Sequence, residues 1–506
     1  MKKHFIEIMD TTLRDGEQTS GVSFLESEKL NIAKVLLEEV KVDRIEVASA
    51  KVSDGEFRAA KKIIDWAKSH KQIDKIEILG FVDGTSSIDW IVEAGGKVLN
   101  LLTKGSLNHV KGQLKKTPEQ HLKDIRASIK YARSKNLSIN IYLEDWSNGM
   151  RNSRDYVFFL MDNLKNEPIK RYMLPDTLGI LNQDETFDYC SQMIKRYPGL
   201  HFDFHAHNDY DLATANVYSA IKAGVAGVHT TVNGLGERAG NVPLTSVIAI
   251  MKDHLNCDLS VNELIMYKLS KMVEIYSGVR IAHNKPITGE NVFTQTCGVH
   301  ADGDNKSKLY YNDLLPERFG RTRQYALGKT SGKANVLKNL EEMGIVLNAE
   351  ETKLVTQRVI ELGDRKASVT QEDLPYIIAD VLNSEIIQTK IKVLNYSLNV
   401  VKGLKSSATV CMEVIGEVYE ETASGDGQYD AFMNALKKIY SKLKRKIPQL
   451  LDYNVSIPPG GKTDALVETL ITWDDGKREF KTRGLDPDQT LAAIIATTKM
   501  LNIIEA

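Results

Sequence analysis

Short β-rich runs alternate with amphipathic helical stretches from residue 5 to about residue 255. In the helical stretches apolar residues recur three or four positions apart, as at Leu30, Ala33 and Leu37, which is the spacing of one helix face. The β-rich runs are 5–10, 44–49, 75–82, 97–103, 138–145, 170–176, 201–207 and 227–233. Eight such units in about 250 residues are typical of a (β/α)8 TIM barrel, whereas a doubly wound sheet usually has about five to seven strands and a glycine-rich first turn.

The alternation stops past residue 255, and residues 256–390 are predicted to be mostly helical. The stretch 391–506 contains two copies of a unit of about 60 residues. In each copy, three strand-like runs precede a helix. The first repeat helix follows Gly425-Asp426-Gly427, and the stretch Asp486-Pro487-Asp488-Gln489 is the predicted N-terminal cap of the second. The sequence therefore predicts an α/β barrel in 1–270, helical linker subdomains in 271–390, and an α+β domain of two βββα units in 391–506.

Composition and charge exclude several classes of protein. The 66 basic and 67 acidic side chains almost cancel, so there is no electrostatic reason to expect nucleic acid or an anionic membrane surface as a partner. No apolar run approaches the roughly 18 residues that a membrane span needs. The four cysteines are scattered without a CxxC pair, which favours neither disulfides nor a thiolate zinc site. We expect a soluble, unexported protein in a reducing cytoplasm.

Polar residues follow the ends of the predicted barrel strands, where the chemistry of TIM barrels is found. Asp15 follows the first strand, and His205 and His207 end the seventh. Residues two apart on a strand point to one side, so the two imidazoles should converge. A carboxylate with two imidazoles suits Zn, Mn, Mg or Co and keeps positions open for a substrate. Asn241 could add an oxygen ligand or hold a water, and the strand starts show no comparable group.

Each of these residues also has a plainer interpretation. A single Arg-Asp pair, such as Arg14 and Asp15, is more often a surface salt bridge than part of a site. A lone histidine at a strand end is usually structural. PPGGKTDA lacks the first glycine of a phosphate loop, and Lys306 replaces a ligand in the calcium-like DGDNKS, so neither nucleotide hydrolysis nor calcium binding is expected.

Six strings together resemble one enzyme family, which performs acetyl-CoA-dependent Claisen condensations and includes isopropylmalate, citramalate and homocitrate synthases. The strings are TLRDGEQTSG, YLEDWSNG, LPDTLG, HAHND, GLGERAGN and TQTCGVHADG. The resemblance covers nearly the whole chain. It implies condensation of acetyl-CoA with a 2-oxo acid at a divalent metal held by Asp15, His205, His207 and Asn241.

The resemblance also implies roles for residues around the metal. Arg14 would stabilise the alkoxide that develops on the ketone oxygen, and Thr177 would orient the substrate carboxylate. Glu144 would remove a proton from the methyl group of acetyl-CoA. His300 would assist proton transfer in the active site of a partner subunit. Three further residues match positions near CoA or the catalytic groups, namely Asp302, Leu309 and Tyr310.

The choice of 2-oxo acid depends on the pocket walls. Leu102 and Tyr142 match two positions at which the isopropylmalate enzymes tend to have smaller or more polar residues. With Leu79 and Phe81 they would leave room for a methyl group, so the chain resembles the citramalate synthases, which use pyruvate. The alternatives are that Leu102 and Tyr142 merely pack and that the substrate is 2-oxoisovalerate, or that the chain is a homocitrate synthase.

The two βββα units resemble the dimeric amino-acid-sensing domain of the family. Such a domain would bind isoleucine or leucine as a feedback inhibitor in a homodimer or larger homo-oligomer. The matching residues are Tyr429, Asp430, Thr463, Pro487 and Gln489. The alternative is a dimerisation domain without a ligand.

Three other classes of protein remain open. A lyase of the same barrel would cleave a preformed 3-hydroxy acyl substrate, although simple lyases end soon after the barrel. A metal-dependent hydrolase usually carries HxH after strand one, whereas this chain has it after strand seven. A non-catalytic amino-acid sensor would leave the residues at the strand ends without a role.

Overall fold

The computed structural model of the chain describes residues 5–364, 369–382, 390–456 and 467–505. These residues form two compact units. The first runs to Phe293 and includes Tyr311–Arg323, and the second comprises Thr294–Tyr310 and the chain from Gln324 onward. The predicted division at residues 270 and 390 stays a proposal. Among the described residues, no helix is long and apolar enough to cross a membrane.

The first unit is built on a closed barrel of eight parallel strands in sequence order, with the first strand paired to the eighth. The strands are β1 Glu7–Asp10, β2 Arg44–Ser49, β3 Ile76–Phe81, β4 Val98–Lys104, β5 Ser138–Glu144, β6 Arg171–Asp176, β7 Phe202–Ala206 and β8 Gly227–Thr230. Each coincides with a β-rich run of the sequence. The predicted TIM barrel is confirmed.

Helices separate the strands, as the apolar spacing predicts. They are α1 Glu26–Lys34, α2 Asp54–Ser69, α3 Ser86–Ala94, α4 Pro118–Ser134, α5 Trp146–Asn152, α6 Arg154–Leu164, α7 Gln183–Arg196, α8 Ala213–Ala223, α9 Leu244–Asp253 and α10 Met266–Ser277. Their apolar faces pack on the outer side of the strands in one large core. Burial on both faces explains why every residue of β2 is buried.

The interior of the barrel is strongly polar at the strand starts. Arg44, the first residue of β2, donates to Glu77 Oε1 at 2.9 Å and to Asp203 Oδ2 at 2.7 Å, and all three side chains are buried. Arg171 adds a pair of hydrogen bonds to Glu7. The expectation that the strand starts carry no group of polar residues is therefore wrong. Buried charges require such partners, so we interpret this network as structural.

The second unit begins with helices and two very short strands, which pair in parallel. These elements are β9 Thr294–Gln295, α11 Gly298–Ser307, β10 Gln324–Tyr325, α12 Lys333–Glu342, α13 Ala349–Asp364 and α14 Leu374–Leu382. The mostly helical character predicted for this region is confirmed, apart from the two strands.

Two antiparallel three-stranded sheets follow, each with a helix after it. The first set is β11 Ile391–Asn399, β12 Ser406–Val414, β13 Glu417–Gly425 and α15 Gln428–Lys442, and the second is β14 Gln449–Ser456, β15 Val467–Asp474, β16 Glu479–Asp486 and α16 Gln489–Ile504. The central strands β12 and β15 bury every second residue, as one-sided sheets do. The repeat is confirmed, and Asp488 caps α16 by accepting from the backbone N–H groups of Thr490 and Leu491.

Candidate active site

Asp15, His205 and His207 lie together at the carboxyl end of the barrel. Asp15 Oδ2 is 3.1 Å from His205 Nε2 and 4.0 Å from His207 Nε2, and the two imidazole nitrogens are 3.4 Å apart. All three side chains are buried. The two-residue spacing across the end of β7 brings both rings to one side, as expected. A carboxylate and two imidazole nitrogens at these distances form a possible site for a divalent metal.

The electrostatics of this cluster favour the protonation states in which Asp15 and His207 can bind a metal ion. Burial lowers the pKa of His207 to about 4, so its imidazole is neutral at pH 7 and has a lone pair to offer. Burial alone would raise the pKa of Asp15, but Arg14 and His205 hold it well below its usual range. The carboxylate is therefore ionised and the His207 ring is uncharged, as metal binding requires.

Unpaired polar atoms test whether these residues fit a cation. Asp15 Oδ1 and Asn241 Oδ1 are buried without a hydrogen-bond partner among the described residues, and the histidine nitrogens that face Asp15 are the two Nε2 atoms. Asn241 donates through Nδ2 to the carbonyl oxygen of Leu235 at 3.0 Å, which leaves its Oδ1 free, and its backbone forms a bridge with His207. A buried polar atom left unpaired costs about 1–3 kcal/mol. Two unpaired oxygen acceptors beside the pair of Nε2 atoms fit a divalent cation.

Arg14 lies beside the metal ligands and is held by a residue that the sequence interpretation left unassigned. Its Nε donates to Glu46 Oε2 at 2.6 Å, and its Nη1 is 3.3 Å from Asp15 Oδ2. Burial would lower the pKa of Arg14, but Glu46 and Asp15 raise it above its ordinary value. The guanidinium is therefore permanently charged. The signal in the sequence was one acidic residue inside the otherwise apolar core of the strand RIEVAS.

Glu46 is itself fixed by side chains from two other parts of the barrel, the end of β1 and the strand β4. Its Oε2 accepts from the Thr11 hydroxyl at 2.8 Å and its Oε1 from Asn100 Nδ2 at 2.8 Å. Asn100 in turn accepts from Asn140 Nδ2 at 2.9 Å. This chain of hydrogen bonds fixes the direction in which Glu46 holds Arg14, so the guanidinium is oriented before any ligand arrives.

Glu144 and Thr177 also lie at the carboxyl ends of their strands. Glu144 ends β5 and forms an ion pair with Lys104, the last residue of β4, which sequence reasoning did not single out. The Thr177 hydroxyl accepts a hydrogen bond from the backbone N–H of Asp145 at 2.9 Å. Its own hydrogen remains available as a donor. The carbonyl oxygen of Thr177 accepts from Arg238 Nη2 at 2.8 Å, which fixes the turn after β6.

Three of the four predicted pocket-wall residues form one apolar cluster inside the barrel. Leu79, Leu102 and Tyr142 pack together with Met9 and Met173. Phe81, at the end of β3, lies outside this cluster and is 36% exposed.

The residues predicted to assist from a partner subunit lie in the second unit. The His300 and Tyr310 rings are stacked at a tilt with their centroids 4.1 Å apart. Asp302 forms an ion pair of 2.6 Å with Lys306 on the same helix. Leu309 is largely exposed. The structure therefore brings His300 and Tyr310 together, and their use in catalysis stays a proposal.

The predicted regulatory residues lie in the C-terminal repeats. Tyr429 and Asp430, at the start of α15, line a cavity of about 690 Å³ that also receives Lys437, Arg445 and Leu450. The Tyr429 hydroxyl hydrogen-bonds the Thr497 hydroxyl at 2.8 Å. Pro487 and Gln489 lie at the start of α16. Thr463 lies outside the described residues.

The barrel and its cluster of one carboxylate and two imidazoles define a class of protein, the TIM-barrel enzymes with a candidate metal centre. Comparison with known families is more specific. The HMGL-like family matches residues 5–274, the homocitrate synthase post-HMGL domain-like family matches 287–367, and the LeuA allosteric (dimerisation) domain matches 368–505.

Similar proteins match over almost their whole length. The (R)-citramalate synthase CimA of Methanocaldococcus jannaschii is 33% identical over 99% of both chains. The putative (R)-citramalate synthase CimA of Methanopyrus kandleri is 33% identical over 93% of this chain and 90% of that protein. The probable 2-isopropylmalate synthase of the same organism is 33% identical over 98% of both chains. The chain belongs to the HMGL-like family and, within it, to the citramalate and 2-isopropylmalate synthase enzymes.

Proposed function

We propose that this enzyme condenses acetyl-CoA with pyruvate and water to give citramalate and CoA. One observation carries the proposal: the metal-ligand cluster, the charged Arg14 and a small apolar wall all meet inside the barrel. A 2-oxo acid with a short tail offers the matching groups, a carboxylate and ketone at one end and a methyl group at the other. The similarity to proteins named (R)-citramalate synthase supports the same reaction.

The first step is to bind the 2-oxo acid. Asp15, His205, His207 and Asn241 would hold a divalent cation, with Zn, Mn, Mg and Co all suited to these ligands. When bound, the cation supplies Lewis acidity to the ketone and a counter-charge for the substrate carboxylate. The Thr177 hydroxyl, which already accepts from Asp145, donates its hydrogen to that carboxylate.

The second step is attack of the acetyl-CoA enolate on the ketone carbon. As the carbon–carbon bond forms, the electron pair of the ketone moves to oxygen, and negative charge develops there. Arg14 stabilises this charge, and Glu46 fixes the guanidinium through its bond to Nε. A fixed, permanently charged donor in a buried site is effective because it needs no reorganisation when the charge develops.

Formation of the enolate needs a base, which we assign to Glu144. The Lys104 ammonium forms an ion pair with this carboxylate at the end of the neighbouring strand. The carboxylate takes a proton from the acetyl methyl group, which is a weak carbon acid. We propose that His300 and Tyr310 of a partner subunit, with Asp302 and Leu309 near CoA, complete the site. The proton taken by Glu144 then returns, with the assistance of His300, to the alkoxide oxygen. Water adds to the thioester carbon as the carbon–sulfur bond breaks, which releases CoA as the thiol and makes the condensation effectively irreversible.

The substrate preference can be tested by CoA release with pyruvate, 2-oxoisovalerate and 2-oxoglutarate side by side. We expect kcat/KM for pyruvate to exceed that for 2-oxoisovalerate by roughly 10- to 100-fold, because each extra methyl group meets the wall formed by Leu79, Leu102 and Tyr142. A preference for 2-oxoisovalerate would instead assign the enzyme to leucine synthesis as a 2-isopropylmalate synthase. If no 2-oxo acid released CoA, the condensation itself would be wrong.

Neighbouring residues of β4 provide a matched control for this wall. Leu102 packs in the interior cluster, whereas Leu101 lies in the core outside the barrel. Leu102→Ala should lower the preference for pyruvate, and Leu101→Ala should lower only the melting temperature. Equal effects of the two variants on the preference would show that Leu102 does not touch the substrate.

We further propose that the C-terminal repeats form a homodimer or larger homo-oligomer and bind an amino acid that inhibits the barrel. Isoleucine is the expected inhibitor if pyruvate is the substrate, and leucine otherwise. Inhibition at a distance requires that the amino acid bind the inhibited state more tightly than the active state. The cavity beside Tyr429 and Asp430 supports this choice of region.

Added isoleucine should lower the turnover of pyruvate, and Tyr429→Ala should raise the half-inhibitory concentration of isoleucine by roughly tenfold, the loss expected for one buried aromatic contact. Tyr419→Ala is the control, because Tyr419 bonds to Glu417 on the surface and does not line the cavity. Turnover that neither isoleucine nor leucine changes would rule out feedback and leave a dimerisation domain without a ligand.

A further inference from the structure

A buried chain of hydrogen bonds crosses the interior of the barrel from β7 to β5. Asp203 Oδ2 lies 3.1 Å from His229 Nε2, and His229 Nδ1 lies 3.1 Å from the Tyr142 hydroxyl. The three side chains are at most 3% exposed. Because β5 and β8 are not neighbours in the barrel, the contact between Tyr142 and His229 passes through its centre.

The direction of each hydrogen bond follows from the groups involved. A carboxylate only accepts, so in a neutral imidazole the nitrogen that faces Asp203 carries the hydrogen and His229 Nδ1 is left as an acceptor. The Tyr142 hydroxyl therefore donates to His229. The orientation of the Asp203 carboxylate is fixed by two further contacts. Arg44 Nη2 lies 2.7 Å from its Oδ2, and His201 Nε2 lies 2.8 Å from its Oδ1.

Tyr142 connects this chain to the candidate active site. Its hydroxyl oxygen is 3.4 Å from Arg14 Nη2, and with its hydrogen committed to His229 it presents a lone pair to the guanidinium. Its ring stands edge-on to the metal-ligand candidate His205, with centroids 6.1 Å apart, and packs against Leu79 and Leu102. The position of this ring therefore decides how much space remains beside the metal ligands.

We propose that His229 is a positioning residue that fixes Tyr142 and thereby sets the preference for pyruvate over longer 2-oxo acids. The Tyr142 hydroxyl also lies 3.4 Å from Glu46 Oε2 and 3.4 Å from Arg14 Nη2, but its 3.1 Å contact with His229 is the shortest of the three, so we take it as the bond that defines the orientation of the ring. The inference rests on the proposed function, because it assumes a 2-oxo acid whose tail meets the Tyr142 ring.

Two substitutions break the bond from opposite sides. His229→Leu preserves the approximate volume of the side chain but cannot accept a hydrogen bond, and Asp203 keeps its bonds from Arg44 and His201. Tyr142→Phe keeps the ring and removes the donor. Each should lower the ratio of kcat/KM for pyruvate to that for 2-oxoisovalerate by roughly tenfold, the scale on which pockets discriminate small apolar groups. The double variant should show no further fall, because the two changes remove the same interaction.

Two more variants separate positioning from a general structural role. His229→Asn places an amide oxygen near the position of Nδ1 and should preserve most of the preference. His201→Leu removes another partner of the same Asp203 carboxylate without touching Tyr142, and it should leave the ratio unchanged. Metal content and melting temperature are measured for every variant.

An unchanged substrate ratio in folded His229→Leu, or additive losses in the double variant, would overturn the inference. If His229→Leu does not fold, Tyr142→Phe decides alone: a lowered ratio supports the inference and an unchanged one refutes it. Failure of the proposed function gives a different result, since the wild-type enzyme would then show no preference for pyruvate.

Discussion

Arg14→Ala should lower kcat by at least about 10³-fold while the metal stays bound. The guanidinium is the permanently charged donor beside the metal ligands, and loss of a single preoriented donor to a developing oxyanion costs about 10²- to 10³-fold in characterised enzymes. Arg14 carries a full charge, so we expect the upper end of that range or beyond. The measurement is single-turnover CoA release at saturating substrate, with metal content determined on the same sample.

The same substitution also leaves Glu46 as a buried carboxylate without its cation. Loss of one partner of a buried ion pair destabilises proteins by about 3–5 kcal/mol, so Arg14→Ala alone could lose activity through unfolding. Arg14→Lys keeps the charge but lacks the planar fork that reaches Glu46, Asp15 and Tyr142 together. It should recover stability while kcat remains roughly 100-fold below wild type.

Arg126→Ala provides the control for a surface arginine. Arg126 pairs with Glu167 on the outside of the barrel, and its removal should change neither kcat nor metal content. Full activity of Arg14→Ala would contradict the mechanism. Loss of metal in a folded Arg14→Ala protein would show instead that Arg14 supports the ligands rather than the reaction.

The barrel could be predicted from the sequence because each strand is a short β-rich run that lies between two helical stretches. RIEVAS and the other runs are short, evenly spaced and separated by helical periodicity, so each strand is visible locally. The convergence of His205 and His207 follows from the same local geometry. The C-terminal repeat could also be predicted from the sequence, because its strands β12 and β15 alternate between buried and half-buried residues.

Contacts between side chains of different strands could not be predicted in this way. Glu46 binds Arg14 from the next strand, Lys104 pairs with Glu144, and His229 meets Tyr142 from a strand on the other side of the barrel. Which interior side chains meet depends on the tilt and stagger with which the sheet closes, and no local pattern encodes that stagger. A polar residue inside an apolar strand shows that an interior partner must exist, but it does not say which residue that partner is.

Asp15→Asn should abolish metal binding and turnover together. Asp15 is the single carboxylate of the cluster, and the neighbouring Arg14 repels a cation. The negative charge of Asp15 offsets the positive charge of Arg14, whereas the amide variant leaves the Arg14 charge without that compensation. Changes to groups that merely support metal ligands weaken binding by about 10- to 100-fold, so loss of this ligand should weaken it by more than about 100-fold.

Titration of Mn²⁺ or Zn²⁺ into chelator-treated protein measures this loss directly. A metal at about 100 times its Kd stabilises the folded state by about 2.7 kcal/mol, so the wild-type melting temperature should rise on addition and that of Asp15→Asn should not. Asp209→Asn is the matched control, because Asp209 follows the same histidine pair but binds Arg238 instead of joining the cluster. Wild-type turnover that survives complete chelation would contradict the metal requirement. Tight metal binding by Asp15→Asn would instead move the ligand role to Asn241 and the two histidines, which would then have to hold the cation beside Arg14 without a compensating carboxylate.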